Sequence, residues 1–411
     1  MMRTAADIRR ANAFDVIRSL HAAGITGRRQ LAERTGLSFQ TVATICGELL
    51  KTGLVSEVSR TKAATGRPTA QLALNPEHGR LLGIDLAETY VHVETRTSAL
   101  ELISSTELEI DLHRHSPRQI VARVREAIEA EAAADDPRPF LGVGVSAPGQ
   151  VDRAGGVSVF APNWNWRNIP LLEMLQGAID APLHLDNPLK ALVLAELWAH
   201  PELGSQDFVV VNLGTGVGIG VALEGRLLRG CTNSAGEWGH TVVVAGGRQC
   251  RCGSQGCIET YVGAQGILQT LREVAPESTL LRGDDQAATV HALRDACAAG
   301  DAVAVEALER TAYYLGIGLA GIVNMLNPEV VILSSWVARD LGEQLLERAR
   351  PHMVAHALTT PLLAASFRVD TSPDDSVSMG AAAFALEGYL HSLSNATADD
   401  SFPALRTGTS L

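Results

Sequence analysis

Four residues with metal-binding side chains lie close together in the second half of the chain. Nine residues separate His240 from Cys250, and Cys250, Cys252 and Cys257 fall within eight positions. Three thiolates and an imidazole are a common ligand set of tetrahedral zinc sites. Because four protein ligands leave no coordination position open, we expect a structural rather than a catalytic Zn²⁺ at this cluster.

Carboxylates flank the cysteine cluster on both sides. Glu237 lies three residues before His240, and Glu259 lies two residues after Cys257. Since carboxylates accept hydrogen bonds from hydroxyl groups, the loop would present both glutamates to a hydroxyl-rich ligand such as a sugar. Two surface glutamates with no ligand are the alternative interpretation.

Two further segments contain groups suited to a ligand. In the segment 161–166, Asn163 could form amide hydrogen bonds to a ligand, and two tryptophans could stack against it. The alternative interpretation is an ordinary turn in which both tryptophan rings pack inward. The segment 212–220 is rich in glycine. Such a loop lets backbone N–H groups approach a phosphate, although a tight hairpin would need the same glycines. The candidate phosphate contacts there are Gly214, Thr215 and Gly216.

The elements that must position these residues alternate between strands and helices. Apolar runs predict buried strands at 81–85, 140–145, 207–213 and 330–333, and helices at 120–134 and 303–325. This alternation predicts an α/β body made of two lobes. We assign residues 79–190 to the first lobe with 374–390 packing back on it, 191–373 to the second lobe, and 391–411 to a disordered tail.

The composition excludes several classes of protein. Of 411 residues, 46% are hydrophobic, which excludes a disordered or collagen-like chain. Six cysteines are too few for a disulfide scaffold. No apolar run reaches the roughly 18 residues that span a bilayer, and the first ten residues lack a secretory signal. We therefore expect a cytoplasmic protein that does not bind membranes.

The charge is distributed unevenly, since residues 1–80 carry 12 basic and 6 acidic residues while the whole chain has a net charge of -12. A basic head on an acidic body is typical of DNA-binding proteins. Within 1–78 we predict three helices, the third capped by Ser38, and then two strands around a basic wing. This pattern predicts a winged helix-turn-helix, although a small bundle with a basic surface is the alternative. The predicted DNA contacts are Ser38, Gln40, Thr41, Thr44, Arg60, Lys62 and Arg67.

The motifs together resemble the ROK family of repressors and sugar kinases, and in particular its transcriptional regulators. The run Cys250-x-Cys252-Gly-x-x-Gly-Cys257-x-Glu259 matches the family's zinc signature, and Glu237-x-Gly-His240 matches its partner motif. Gly66-Arg67-Pro68 matches the junction between head and body. The resemblance covers residues 8–390 and implies a two-lobed body of the actin/hexokinase-like (RNase H-like) fold. It also implies a sugar in the cleft between the lobes and, in the kinases, ATP beside it.

Three departures separate this chain from the kinases of the family. Their first phosphate motif, Asp-x-Gly-x-Thr, here has Ala87 in place of the glycine and an added acid, Glu88, where a triphosphate would be repelled. Pro188 stands at the position of the catalytic aspartate, and proline cannot accept a proton. Ser334 and Ser335 replace the two glycines that face adenosine. We therefore expect that kinase activity is lost and that the loop 214–216 is a vestige.

These observations predict a ligand-responsive DNA-binding regulator, most simply a repressor of carbohydrate metabolism, and not an enzyme. The expected partners are operator DNA and a sugar or sugar-phosphate effector, bound by a homodimer or homotetramer. An ATP-dependent sugar kinase with a DNA-binding head is the main alternative, and a DNA-binding protein without an effector is the second. The effector contacts implied by the resemblance are Asn163, Asp186, Asn187, Glu237, His240 and Glu259.

Overall fold

A computed structural model describes residues 5–61, 69–112, 114–370 and 376–396. The head consists of three helices and an antiparallel sheet in the order β1–β3–β2. Its elements are α1 (Ala5–Ala23), β1 (Thr26–Gly27), α2 (Arg28–Thr35), α3 (Phe39–Thr52), β2 (Val55–Thr61) and β3 (Thr69–Leu74).

The third helix of the head begins where the sequence predicts. The Ser38 hydroxyl accepts the backbone N–H of Thr41 at 3.1 Å, which satisfies one of the free donors at the start of α3. The helix ends at Gly53, whose φ of 83° is a left-handed conformation that glycine adopts without strain. The wing tip, with Lys62 and Arg67, lies outside the described residues.

The first lobe contains a five-stranded mixed sheet in the order β11–β7–β4–β5–β6 and a small sheet in the order β10–β9–β8. Its elements are β4 (Arg80–Leu86), β5 (Tyr90–Thr97), β6 (Leu102–Glu109), α4 (Pro117–Ala132), β7 (Phe140–Ser146), β8 (Gln150–Asp152), β9 (Val157–Ala161), β10 (Trp166–Ile169), α5 (Leu171–Leu175) and β11 (Leu183–Asp186). Strands β4, β7 and β11 are parallel, and their register places Asp85, Ser146 and Asp186 side by side at one edge.

The second lobe repeats this arrangement with a sheet in the order β14–β13–β12–β15–β16. Its elements are α6 (Pro188–Ala199), β12 (Phe208–Leu213), β13 (Val217–Leu223), β14 (Arg226–Leu227), α7 (Glu259–Val262), α8 (Ala264–Val274), α9 (Gln286–Ala298), α10 (Ala302–Leu326), β15 (Val330–Ser334), α11 (Trp336–His356), α12 (Thr359–Ala364) and β16 (Ser366–Val369). Strands β12, β15 and β16 are parallel, whereas β12–β13–β14 form hairpins. Two lobes with this shared pattern form the predicted actin/hexokinase-like body.

The last helix, α13 (Ser376–Ala396), returns to the first lobe and packs against β4 and β7. A Cβ on Gly144 of β7 would lie 1.7 Å from the carbonyl oxygen of Ala381, so glycine permits this close approach. Residues 391–396, which we predicted to be disordered, are instead the last turns of α13, because Leu390 and Leu393 pack against the core. Residues 397–411 lie outside the described part of the chain.

Helix α6 lies at the centre of the molecule, and the boundary predicted between residues 190 and 191 falls inside it. It contacts α13, β13 and α1 of the head. Its buried Leu197 and Trp198 share one apolar core with Val16 and Leu20 of α1. The head is therefore packed on the body through α6. No described helix is long and apolar enough to cross a membrane.

Candidate functional site

A cleft of about 420 Å³ opens where the two lobes meet. Residues from the edge of the first sheet, the start of α6, the β12–β13 loop and the cysteine-rich loop line it. Five of the six predicted effector contacts are among the lining residues: Asn163, Asn187, Glu237, His240 and Glu259. The structure therefore brings together side chains that lie up to 96 positions apart in the sequence.

The sixth predicted contact, Asp186, lies behind the cleft in a buried polar cluster. Its side chain is 1% exposed, and one carboxylate oxygen accepts a hydrogen bond from Arg229. The other oxygen accepts from the Nδ2 of Asn233 at 2.8 Å, and the guanidinium of Arg153 lies 3.2 Å away. Both oxygens of Asp186 are thus occupied. Asn187 lines the cleft, but its Oδ1 caps α6 by accepting the N–H of Lys190 at 3.2 Å.

Three glutamates and an asparagine make the cleft rich in hydrogen-bond acceptors. The Oε1 of Glu88 accepts from the Nδ2 of Asn163 at 2.6 Å, and the Oε2 of Glu259 accepts from the N–H of Val217 at 3.0 Å. The Oδ1 of Asn163 is buried and has no partner among the described residues. A ligand that brings O–H or N–H donors would satisfy these acceptors.

Burial sets the protonation behaviour of the cleft glutamates. Desolvation raises the pKa of Glu88, and the nearby Arg251 and the Asn163 hydrogen bond oppose that rise. Desolvation likewise raises the pKa of Glu237, against the opposing effects of His240 and Lys190. Carboxyl groups with raised pKa values in a cleft are typical of a functional site, since an isolated surface glutamate is not desolvated.

The four predicted metal ligands converge on one point. The ligand atoms of His240, Cys250, Cys252 and Cys257 all lie within 4.8 Å of one another. The sulfur atoms of Cys252 and Cys257 are 3.8 Å apart, and the Nδ1 of His240 is 3.7 Å from the sulfur of Cys250. Zinc–sulfur bonds of about 2.3 Å in a tetrahedron place two sulfur atoms about 3.8 Å apart. The donor set and its spacing therefore fit Zn²⁺.

The metal cluster and the cleft share two residues, His240 and Cys252. His240 turns its Nδ1 toward the cysteines, and its Nε2 lies 3.9 Å from the Oε2 of Glu237. A carboxylate beside the second nitrogen is the usual way to orient a metal-binding histidine. The loop can close because Gly256 has a φ of 77° and a Cβ there would lie 1.7 Å from the carbonyl oxygen of Val244.

The glycine-rich segment is a hairpin loop that also borders the cleft. Leu213 pairs with Val217 across β12 and β13, and the side-chain amide of Asn212 donates to the carbonyl of Gly216 at 2.8 Å. The loop residues Gly214, Thr215 and Gly216 all line the cleft. The hairpin interpretation is therefore confirmed for the backbone, and the loop retains a position from which it can face a ligand.

The side chains of Ser335 and Trp336 fill the space beside this loop. A Cβ on Gly214 would lie 2.9 Å from the Oγ of Ser335 and 3.3 Å from the Nε1 of Trp336. Ser335 has φ 82° and ψ 175°, a backbone conformation that glycine adopts freely and other residues rarely adopt. The backbone thus keeps a glycine-like shape while carrying a serine, and Trp336 narrows this end of the cleft.

The tryptophans of the segment 161–166 pack inward. Trp164 and Trp166 are 6% and 2% exposed, and their rings meet edge to face with centroids 4.7 Å apart. Packing inside the lobe therefore accounts for both rings, although Trp164 also contributes to the lining of the cleft.

On the head, Gln40 and Thr44 are exposed on α3, one helical turn apart. The Thr44 hydroxyl donates to the carbonyl of Gln40 at 2.9 Å. The hydroxyls of Ser38 and Thr41 lie 2.8 Å apart at the start of the helix. Arg60 lies in β2 opposite Ala70. The exposed residues at the start of α3 therefore include the polar Ser38, Gln40 and Thr44 beside the exposed Phe39, and such polar side chains can form hydrogen bonds to base edges in a groove.

Sequence reasoning missed the partners of Asp186 and the hydrogen bond between Asn163 and Glu88. Arg229 and Asn233 follow β14 in an irregular segment, and no pattern links them to a residue more than 40 positions earlier. Glu88 follows β4, the strand that ends at the cleft, and it lines the cleft as its position in the phosphate motif suggests.

Comparison with known proteins gives matches over most of the chain. The model of the ROK family matches residues 81–387. The xylose repressor of Caldicellulosiruptor bescii is 26% identical over 389 residues, which cover 93% of this chain and 97% of that protein. A glucokinase of Halalkalibacterium halodurans is 31% identical over 307 residues, which cover 73% of this chain and 92% of the glucokinase.

A solved structure shares the whole architecture. The crystal structure of a ROK family transcriptional regulator, described as a homolog of the E. coli MLC protein, superposes with a TM-score of 0.77 at 23% identity. The superposition covers 94% of this chain and 98% of the regulator, so the shared fold includes the head. Since the family match spans both lobes and more than half of the chain, this protein belongs to the ROK family.

Proposed function

We propose that this protein is a sugar-responsive transcriptional repressor of carbohydrate genes. The observation that carries this proposal is the similarity to a xylose repressor over 93% of the chain, a share too large to leave out the head. A sugar kinase needs the body alone, and the glucokinase match covers 73% of the chain. The protein thus combines a DNA-binding head with a body built to hold a sugar.

The head would bind operator DNA through α3 and the wing. Gln40 and Thr44 are exposed on one face of α3, and glutamine can form two hydrogen bonds to adenine in the major groove. Arg60, Lys62 and Arg67 would contact phosphates or the minor groove. In a dimer, two such heads would contact the half-sites of a palindromic operator.

The cleft would bind the effector through acceptors that face inward. Asn163, Glu237 and Glu259 line it, and the unpartnered Oδ1 of Asn163 requires a donor. Sugar hydroxyls supply several donors in a small volume, and the cavity of about 420 Å³ accommodates a monosaccharide. His240 would contribute to this wall as well as to the metal cluster.

His240, Cys250, Cys252 and Cys257 would hold a structural Zn²⁺. A bound zinc with four protein ligands supplies folding energy to its loop and takes no part in chemistry. The loop that the metal would order runs from Glu237 to Glu259, so the bound zinc would fix the positions of both carboxylates.

Several features of the cleft support the loss of phosphoryl transfer. Pro188 is the first residue of α6, at the position where a kinase would place its general base. Asp186, the nearest alternative base in the sequence, has both oxygens engaged by Arg229 and Asn233. Ser335 and Trp336 occupy the space beside Gly214, and Ser335 stands where the resemblance implies a glycine facing adenosine in the kinases.

Helix α6 offers a direct connection from the cleft to the head. Its first turn lines the cleft, and Trp198 near its last turn contacts Phe14 and His21 of α1. Effector binding would close the lobes, displace α6 and so change the spacing of the two heads. Such coupling requires the effector to bind one lobe arrangement more tightly than the other.

Selection of bound genomic fragments by the purified full-length protein tests this function. We expect enrichment of one palindromic sequence next to genes of carbohydrate metabolism. Fragments enriched without any shared sequence would contradict a specific repressor.

A further inference from the structure

The described lining of the cleft contains acidic and neutral side chains but no lysine or arginine. The acidic members are Asp85, Glu88, Glu237 and Glu259. The hydroxyl of Ser146 donates to Asp85 at 2.9 Å. A phosphate monoester in this cleft would face like charges on several sides.

The cations nearest the cleft lie outside its described lining. The ammonium group of Lys190 donates to the carbonyl of Ala235 at 2.6 Å, and this side chain is completely buried. Arg153 and Arg229 hold Asp186 behind the cleft wall. Arg251 lies close enough to lower the pKa of Glu88, but it lines, together with Arg272, a neighbouring cavity that borders the cleft at Thr215 and Glu259.

Hydrogen-bonding capacity separately favours hydroxyl groups over a phosphate group next to the acceptors of the cleft. The free Oδ1 of Asn163 and the carboxylate oxygens of Glu88 and Glu237 are acceptors. The oxygens of an ionised phosphate also only accept, so they cannot satisfy these groups. Sugar hydroxyls can donate to each of them.

We propose that Glu88, held by Asn163, makes the cleft selective for unphosphorylated sugars and excludes sugar phosphates and nucleotides. The inference rests on the proposed function and narrows its effector to one chemical class. Glu88 is placed for this role because it follows β4 at the cleft edge and is fixed by the 2.6 Å hydrogen bond from Asn163. An unfixed glutamate could turn away from an anionic ligand, whereas a fixed one cannot without losing that bond.

Paired ligands test the selectivity in isothermal titration calorimetry with the full-length protein. The probes are glucose, xylose and N-acetylglucosamine, each beside its own terminal phosphate ester. We expect at least one unphosphorylated sugar to bind, and its phosphate to bind at least about tenfold more weakly because of the like charges. A phosphate ester that binds as tightly as its parent, or more tightly, overturns the inference but leaves a sugar-responsive repressor intact. Failure of every probe to bind overturns both.

Glu88→Gln tests whether this residue is responsible. Glutamine keeps the size of the side chain and an acceptor for Asn163 but removes the charge. We expect the preference for the unphosphorylated sugar to fall several-fold, while the exposed Glu126→Gln on α4 leaves it unchanged. If Glu88→Gln retains the full preference, Glu88 is not the determinant. Arg251→Ala tests whether a phosphate ester binds in the neighbouring cavity instead of the cleft, since an ester bound there would lose affinity when the guanidinium is removed.

Discussion

The indole of Trp198 meets the imidazole of His21 edge to face, with ring centroids 5.2 Å apart. Trp198 belongs to α6 of the body, and His21 belongs to α1 of the head. The Nδ1 of His21 donates to the carbonyl of Ala99 at 3.0 Å, so the ring is fixed from a second side. Since α6 has 12 residues and spans about 18 Å, this contact lies one helix length from the cleft.

Trp198→Phe should weaken the coupling between sugar and DNA while leaving each binding site in place. The smaller ring loses part of the contact with His21 and Phe14 but still fills the apolar core, which limits the loss of stability. We expect the sugar-induced change in operator affinity to shrink several-fold. Operator titrations with and without sugar measure this change.

Phe14 lies on the other side of the same contact, in the head and away from the cleft. Phe14→Leu should therefore also weaken the coupling between sugar binding and DNA binding. Unchanged coupling in both variants would show that α6 does not transmit the signal. Sugar affinity in the absence of DNA should be unaltered in both, as measured by calorimetry.

Removal of zinc should impair the sugar response before it impairs DNA binding. We expect one zinc ion per chain by elemental analysis, and Cys252→Ser should lose most of it because three ligands hold zinc far more weakly than four. The variant should bind sugar at least about tenfold more weakly because its zinc loop, with Glu237 and Glu259, is no longer ordered. Cys231→Ser is the matched control, because Cys231 is exposed and outside the cluster. Zinc-free protein with normal sugar affinity would contradict the structural role.

The purified protein should not phosphorylate sugars. A coupled assay with ATP, Mg²⁺ and a panel of hexoses and pentoses should give no turnover above the background, since the protein has Pro188 where a base is needed. Turnover that disappears in Asp186→Asn would overturn this expectation and identify Asp186 as the base. Such a result would require Asp186 to leave Arg229 and Asn233.

Two variants of the head should separate base recognition from phosphate contact. Gln40→Ala should reduce the preference for the operator over other DNA by about 1–3 kcal/mol and leave the salt dependence unchanged. Arg67→Ala should weaken binding to all sequences and lower the salt slope by about one. Titrations at several salt concentrations with operator and unrelated DNA distinguish the two effects. An unchanged salt slope in Arg67→Ala would exclude the wing contact.

The parts of the molecule that sequence predicts well are those defined by neighbouring residues. The cap at Ser38 depends on four consecutive residues, and the four metal ligands fall within 18 positions, so their local pattern suffices. The engagement of Asp186 by Arg229 depends on how β11 and the segment after β14 meet in space. The contact between Trp198 and His21 joins positions 177 residues apart, and neither residue carries a local signal of it.

The helical conformation of residues 391–396 escaped prediction for a related reason. The segment is polar in composition, but it extends a helix whose apolar residues already pack on the lobe. Glu88 shows the complementary case, because its charge was evident from sequence while its hydrogen bond to Asn163 required the fold.

The central claim is that one sugar controls DNA binding, and the operator affinity measured with and without that sugar tests it most directly. Fluorescence anisotropy with the selected operator should show a dissociation constant that rises at least about fivefold at saturating sugar, within the usual range of allosteric coupling. By reciprocity, operator DNA should weaken sugar binding by the same factor. An operator affinity that no sugar changes, measured with protein that binds the sugar, would contradict the account.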